Sequence, residues 1–382
     1  MPFRVAWPIW LVTRLSVIVV AYFAVVTIGY VMPEPPNRVS TNEFLNLPSR
    51  WDTGWYFGIA TYGYIWDRRL KPTDQQNVVF FPAYPMLMRV AGRLIGSRAL
   101  AAGMLITFVA FFTALIYLYG LARQWLDHDQ AVTALWLLAA YPFALFFSAA
   151  YTEALYLCGV AGAFYHFHRR EFTHASVWGL LVGLTRPNGC FLSIPLAVLA
   201  FESVLKTDRA VVRSVWQRSS AFVAAAMPGI GMILYSVFIY RLTRDPLAWA
   251  RGHAAWGREY AGLSGGLVNS YALIANQGFY NYTAWIPYDI LNAVPAVFVL
   301  GISWLVLRRF GLAYALFLWL NLIPPMLAGG LLSVGRFTSV LFPAFFALAL
   351  LVSVRARPAW IAAFAMGQAL ATSLFFTWRP LL

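Results

Sequence analysis

Long apolar runs separated by short polar turns dominate the chain from end to end. A helix needs about 20 mostly apolar residues to cross the hydrocarbon core of a membrane. The pattern therefore predicts an all-α, polytopic integral membrane protein with about eleven transmembrane helices, and residues 1–382 are expected to form one domain. The helices are expected near 7–31, 99–120, 130–148, 151–168, 174–186, 189–205, 220–240, 285–306, 311–332, 337–354 and 358–377.

Two polar stretches, 32–98 and 241–284, are too long to be simple turns between spans. Long loops are usually either functional or disordered. Their many tryptophan and tyrosine residues argue against disorder and indicate segments packed at the membrane interface. The first stretch is expected to contain amphipathic helices that lie along this interface.

Composition supports the membrane assignment, since hydrophobic residues make up 61% of the chain and charged residues only 11%. A soluble fold of this size could not cover so much apolar surface. The formal charge of +14 comes mainly from arginine, because Lys71 and Lys206 are the only lysines. These scattered arginines indicate anionic lipid headgroups or phosphates as partners rather than nucleic acid, although coding bias would also enrich arginine.

The arginines and lysines of the short turns predict the orientation, because such residues accumulate on the cytoplasmic side. The rule places the N-terminus in the cytoplasm and both long loops outside it. The apolar N-terminal run lacks a small-residue cleavage site and is expected to remain as the first span. The turns expected inside carry Arg169, Arg170, Lys206, Arg209, Arg213, Arg218, Arg308, Arg309, Arg355 and Arg357.

No metal or cofactor is expected. Cys158 and Cys190 both fall inside apolar runs, where they form neither a disulfide framework nor a metal-ligand spacing. His166 and His168 adjoin a basic turn and are expected to belong to a solvated flank of the membrane.

The richest mixture of aromatic and polar residues lies at 50–64, inside the first long loop. Asp52 stands here between Trp51 and Trp55, with Tyr56 close behind. The apolar positions suit an interfacial helix. Asp52 could simply cap that helix, since aspartate accepts hydrogen bonds from free amides at a helix start. Alternatively, a carboxylate partly shielded from water could act as a general base.

Two further breaks lie at the same predicted outer level. Tyr84 stands between Pro82 and Pro85, which are expected to make a stiff turn, and it could line a site. Glu153 follows Tyr151 where two spans meet. A carboxylate at the edge of the membrane is costly to bury and is therefore a functional candidate, although it could also cap the next helix.

Arg186 and Arg336 each stand at a predicted outer helix end without an acidic neighbour in sequence. Pro187, Asn188 and Gly189 interrupt the span after Arg186, and broken helices at membrane depth are tolerated where they line a cavity. The arginine fork suits phosphate oxygens, so both arginines are candidates to bind one anion. The alternative is that each side chain snorkels to the headgroups.

These motifs, in this order, resemble the PIG-V-like mannosyltransferases, relatives of the second mannosyltransferase of GPI-anchor synthesis. The similarity covers most of the chain, with Phe337 in place of the usual tyrosine and Pro187 in place of the usual serine. The matching segments are Trp51 to Tyr64, the Phe-Phe-Pro-x-Tyr-Pro run at 80–85, Tyr151 to Glu153, Thr185 to Gly189, Arg336 to Pro343, Asp245 to Leu247 and Trp256 to Arg258.

The resemblance implies a GT-C membrane fold, a polyprenyl-phosphate sugar donor, typically of mannose, and a lipid or glycan acceptor. Asp52 matches the acidic residue that serves this fold as the base. We expect an inverting transfer outside the cytoplasmic leaflet, with the donor phosphate held by Arg186 and Arg336, in a bacterial cytoplasmic membrane. The other residues expected to contact substrate are Trp51, Trp55, Tyr56, Tyr84, Tyr151, Glu153 and Asn188.

A transporter or flippase of an anionic lipid-linked substrate is the alternative function. It would share the spans, the broken helices and the outer arginines. Its halves would usually show paired repeats, and the chain instead has one elaborate outer loop.

Overall fold

The computed structural model describes residues 1–71, 74–205, 215–258 and 271–381, and helices connected by loops make up this part of the chain. The α-helices are α1 (Pro2–Thr27), α2 (Glu43–Asn46), α3 (Thr53–Tyr62), α4 (Ala83–Leu94), α5 (Ala99–Ala122), α6 (His128–Ala140), α7 (Glu153–His168), α8 (Phe172–Thr185), α9 (Ser193–Leu205), α10 (Val215–Thr243), α11 (Ala248–Arg251), α12 (271–277), α13 (Phe279–Trp285), α14 (Pro287–Phe310), α15 (Leu312–Gly329), α16 (Val334–Thr338), α17 (Phe342–Leu351) and α18 (Arg357–Phe376). Short 3-10 helices occupy Asn77–Val79, Pro142–Ser148, Pro187–Leu192 and Gly252–Trp256.

The all-helical, polytopic class is confirmed, but a count of eleven spans is not. Six helices of the described chain are long and apolar enough to cross a membrane, and a seventh is added if a bent pair counts as one span. Every predicted span contains a helix, yet several of these helices are too short to qualify. The six are α1, α5, the 219–243 part of α10, α14, α15 and α18.

The spanning helices separate a packed face from an apolar outer face. On α1, for example, Leu11, Leu15 and Val19 are exposed. Exposed leucine and valine at helical spacing suit contact with lipid tails. The buried face of α1 consists of Ala6, Ile9, Thr13, Arg14, Val17, Ala21, Ala24 and Val25.

At the centre lies α7, which is buried along nearly its whole length and packs against α5 and α8. On the other side of α8, small residues allow α10 to approach closely. A Cβ atom added at Gly183 would lie 2.0 Å from the carbonyl oxygen of Pro228. This contact fixes the end of α8, which carries Arg186.

Two segments that were predicted to be continuous spans are broken in the structure. Residues 130–148 are not one helix, because Pro142 starts a 3-10 segment that turns 79° from α6. The buried guanidinium of Arg14 stabilises this bend, because it donates hydrogen bonds to the carbonyl oxygens of Ala139 and Ala144 at 2.8 and 2.6 Å. The 337–354 span is likewise divided, with α16 ending at Thr338 and α17 beginning at Phe342.

The first long loop contains the helices α3 and α4. Only α4 has the amphipathic pattern that was predicted, because α3 is apolar around most of its circumference. Pro85 does not prevent α4, however, because it lies in the first turn, where no amide hydrogen bond is lost. The basic turn at 206–214, expected in the cytoplasm, lies outside the described residues.

Candidate active site

Asp52 directly precedes α3, and an unusual backbone conformation places it. Trp51 adopts a left-handed conformation, with φ of 47°, which is costly for a residue with a side chain. Its indole nitrogen donates to the carbonyl oxygen of Phe375 at 3.2 Å, which ties this turn to the end of α18. The amide of Asp52 then donates to the Tyr151 hydroxyl oxygen at 3.0 Å.

The Asp52 carboxylate does not cap α3, because it makes no hydrogen bond to the amides of that helix. Instead, its Oδ2 atom accepts a hydrogen bond of 2.8 Å from Nη1 of Arg336. The carboxylate remains partly accessible, with 27% of the side chain exposed. The capping hypothesis is therefore wrong, and the side chain is free to present an oxygen to a ligand.

Glu153 joins the two predicted arginines. It is fully buried, and its Oε1 atom accepts hydrogen bonds from Nη2 of Arg186 at 2.6 Å and from Nε of Arg336. Both arginines are therefore buried as well, at 5% and 8% exposure, so neither reaches out to the headgroups. The four charged side chains form one connected chain, which runs from the partly accessible Asp52 through Arg336 and Glu153 to Arg186.

A cavity of about 670 Å³ opens beside this ionic chain. Asp52, Arg186 and Arg336 line it, so residues that lie far apart in sequence meet at one wall. Apolar and aromatic side chains form most of the remaining wall. They include Trp51, Tyr56, Val79, Phe80, Phe81, Phe191, Met232, Trp249, Trp256, Pro324, Pro325, Ala328, Leu332 and Phe337.

Two polar atoms of the cavity residues are buried and have no hydrogen-bond partner among the described residues. They are Oγ1 of Thr152 and Nη1 of Arg186. Buried polar groups are normally satisfied, and an exception calls for a physical reason. Because both residues line the cavity, a polar ligand bound there could supply the missing partners.

The second long loop completes the wall with residues that the sequence analysis did not select. His253 and Trp256 line the cavity, and Trp256 packs edge-on against Trp55, with ring centroids 5.7 Å apart. Arg258 donates to the Leu332 carbonyl oxygen at 2.9 Å, and its guanidinium lies 4.9 Å from the Phe337 ring centroid. The sequence signals for these residues were their position in an aromatic outer loop and the resemblance of the segment Trp256 to Arg258 to the family.

The remaining predicted contact residues divide into two groups. Asn188 lines the cavity, although its side chain also donates to Oδ1 of Asn321 at 2.8 Å. Tyr84 does not line it, because its hydroxyl donates to the Gly103 carbonyl oxygen at 3.0 Å within the packing against α5. Trp51 and Tyr56 line the cavity, as Asn188 does. Like Tyr84, the residues Trp55, Tyr151 and Glu153 are not among the side chains that line it.

A possible metal-ligand cluster lies at the opposite end of α7. Ligand atoms of His166, Glu171 and His174 all lie within 4.8 Å of one another. The nitrogens of His166 already bond to Glu171 at 2.5 Å and to Tyr117 at 3.2 Å. His168, expected in a solvated flank, instead contacts the Tyr314 hydroxyl at 2.6 Å. None of these residues lines the cavity.

The fold and the cavity together define a polytopic membrane protein whose polar site lies at one end of the helical bundle. A family model described as Mannosyltransferase (PIG-V) matches residues 29–247, which is more than half of the chain. The chain therefore belongs to this mannosyltransferase family and is a membrane glycosyltransferase. The match favours the enzyme over the transporter alternative. The search of curated proteins finds no match.

Among solved structures, the chain is similar to the oligosaccharyltransferase of Archaeoglobus fulgidus. One structure, a complex with zinc and sulfate, has 14% identity and a TM-score of 0.41, with 95% of this chain and 52% of that chain covered. Another, of AglB with an inhibitory peptide and a dolichol-phosphate, has 15% identity and a TM-score of 0.43, with 95% and 55% covered. The chain thus spans about half the length of these proteins.

Proposed function

We propose that the protein transfers mannose from a polyprenyl-phosphate donor to an acceptor hydroxyl, as a GT-C enzyme without a bound cofactor. The observation that carries this proposal is the Asp52 carboxylate at the wall of a large, mostly apolar cavity, beside three arginines. The apolar wall suits a lipid-linked donor, and the arginines suit its phosphate.

In the proposed reaction, Asp52 removes the proton from the acceptor hydroxyl as its oxygen attacks the anomeric carbon. A bond forms between this oxygen and the carbon while the bond from the carbon to the phosphate oxygen breaks. The proton passes to Asp52, and the electron pair leaves with the polyprenyl phosphate. Attack opposite the leaving group inverts the anomeric centre, by the geometric logic of inverting hydrolases.

Arg186 and Arg336 are proposed to stabilise the phosphate as its charge develops. Fixed donors aimed at a developing charge in a water-poor site lower the barrier without reorganisation. Nη1 of Arg186, buried and without a partner in the described chain, is a donor that a phosphate oxygen could satisfy. Arg336 also orients Asp52 through its 2.8 Å hydrogen bond, and so links the base to the anion site.

The active site is proposed to face the extracytoplasmic side of a bacterial cytoplasmic membrane. Except for Met232, which lies inside the predicted 220–240 span, the cavity-lining residues belong to loops or span ends that the arginine distribution predicts to be outside. Loop residues around Asp52 and around Trp256 meet there, which supports a common side for both long loops. The bulk of an extended lipid-linked acceptor would then approach from outside the cell.

The test is to supply purified protein in detergent with radiolabelled polyprenyl-phosphate mannose and a membrane lipid extract as acceptor. We expect label to move into a new product and polyprenyl phosphate to be released. Label that moves only when a nucleotide sugar replaces the lipid donor would contradict the proposed donor. A detergent-solubilised transporter would release no polyprenyl phosphate, so the same assay separates the two functions.

A further inference from the structure

The charges around the cavity are unevenly paired. Asp52 and Glu153 together balance Arg186 and Arg336, so this group of four charges is electrically neutral before any substrate binds. Opposite charges in contact satisfy one another and leave little attraction for a further anion. Two paired arginines alone would therefore give the cavity limited affinity for a phosphate in the ground state.

Arg258 is the third arginine of the cavity wall and has no acidic partner among the residues described. Within the described ranges, its guanidinium donates a hydrogen bond to a neutral acceptor, the Leu332 carbonyl oxygen. It lies close enough to Asp52, Arg186 and Arg336 to interact with them electrostatically. Burial and the nearby positive charge of Arg336 lower the pKa of Arg258 to about 10, so the group stays protonated at neutral pH.

The surroundings hold this guanidinium in place without neutralising it. The Phe337 ring lies beneath the guanidinium, 4.9 Å from centroid to Cζ, and Leu332 fixes one of the nitrogens. Arginine on an aromatic face keeps its other N–H groups available for an anion. Phe337 also contacts Arg186, at 5.6 Å, so one ring supports two cations of the same wall.

We propose that Arg258 supplies the uncompensated positive charge that binds the donor's phosphate when the lipid enters the cavity. This inference rests on the proposed function and deepens it by making the second long loop part of the donor site. Arg186 and Arg336 then act mainly as the phosphate leaves, whereas Arg258 governs how tightly the intact donor and the released polyprenyl phosphate bind.

The test compares Arg258→Gln with the wild type in binding polyprenyl phosphate and uncharged polyprenol, both in detergent. Glutamine retains an N–H donor for Leu332 and removes the charge. Loss of a charge-assisted contact should weaken polyprenyl phosphate binding roughly 10- to 100-fold while polyprenol binding stays unchanged. Arg251→Gln is the matched control, because Arg251 lies in the same loop but pairs with Asp245 outside the cavity wall.

Equal binding of polyprenyl phosphate by Arg258→Gln and the wild type would overturn the inference and leave the proposed function intact. A parallel loss for both lipids, together with a lower Tm, would also overturn it, since it would show that Arg258 only fastens the loop. The proposed function itself would be contradicted by a different result. In that case the wild-type protein would transfer no mannose, and it would bind neither lipid more tightly than Arg258→Gln does.

Discussion

Charged side chains at this site acquire their roles from one another. Glu153 is fully buried and would be costly there without its two arginine partners. Those partners are 33 and 183 positions away in sequence, so the sequence could indicate that Arg186 and Arg336 converge but could not show through which group. The resemblance marked the segment Trp256 to Arg258 in sequence, but it did not indicate that Arg258 lies on the cavity wall beside the other two arginines.

Arg336 donates hydrogen bonds to Asp52 and Glu153 from different guanidinium nitrogens. The planar arrangement of these nitrogens therefore matters as much as the positive charge. We expect Arg336→Lys to retain little transfer, because lysine keeps the charge but cannot bridge two carboxylates in a fixed fork. Arg336→Ala should lose at least one charge-assisted contact, worth about 1.5–3 kcal/mol, and be worse. Donor binding and turnover of the purified variants measure both effects.

The matched control is Arg69→Lys, because Arg69 pairs with Asp67 on an exposed part of the first long loop. It should behave as the wild type, since exposed ion pairs contribute little. If Arg336→Lys matched this control in turnover, Arg336 would contribute only a charge, and the proposed bridge between base and anion site would be wrong.

Helix breaks, at the next scale, bring the functional residues to one end of the bundle. The sequence indicated the break after Arg186, because proline and glycine follow it, and Arg186 indeed lies between α8 and a 3-10 segment. It did not indicate the 79° bend at Pro142, since residues 130–148 read as one apolar run. The bend depends on Arg14, whose contacts with two carbonyl groups are formed only in the fold.

The close contact of α8 and α10 gives a prediction for Gly183→Ala. The new Cβ atom would lie 2.0 Å from the Pro228 carbonyl oxygen, so the two helices must move apart. Overpacking of this kind typically costs about 1–3 kcal/mol, and it should lower the Tm and displace Arg186 enough to reduce turnover.

Gly301→Ala is the matched control, since it adds the same methyl group in α14 where no atom lies within 4 Å. Alanine favours helix over glycine, so this variant should be at least as stable as the wild type. Thermal unfolding in one detergent compares the pair. Equal Tm values for the two variants would show that α8 and α10 can move apart without loss of stability, which would contradict this prediction.

Over the whole molecule, the apolar runs predicted the class of fold correctly because lipid imposes a strong constraint on composition. The predicted count of eleven spans is not confirmed, because helices of the described chain such as α17, with ten residues, are apolar but too short to cross a membrane unaided. High hydropathy indicates that a segment lies in an apolar environment, which can be either the lipid or the protein interior. It does not distinguish a lipid-facing span from α7, which is enclosed by other helices.

The proposed orientation is tested by labelling single cysteines in a variant lacking Cys158 and Cys190. Thr41→Cys, in the exposed first loop, should react with a membrane-impermeant maleimide added to intact cells. Val354→Cys, exposed beside the basic turn after α17, should react only after the membrane is permeabilised. The reverse pattern would place the active site in the cytoplasm.

Asp52→Asn is the variant that tests most directly whether Asp52 is the base. Asparagine keeps the shape and an acceptor oxygen for Arg336 but cannot take the proton. Transfer from polyprenyl-phosphate mannose should fall by roughly 10²–10⁴-fold, with donor affinity close to that of the wild type. The control Asp67→Asn, at a carboxylate of the same loop that pairs with Arg69 and does not line the cavity, should leave turnover unchanged. Near-normal turnover by Asp52→Asn would show that Asp52 is not the base.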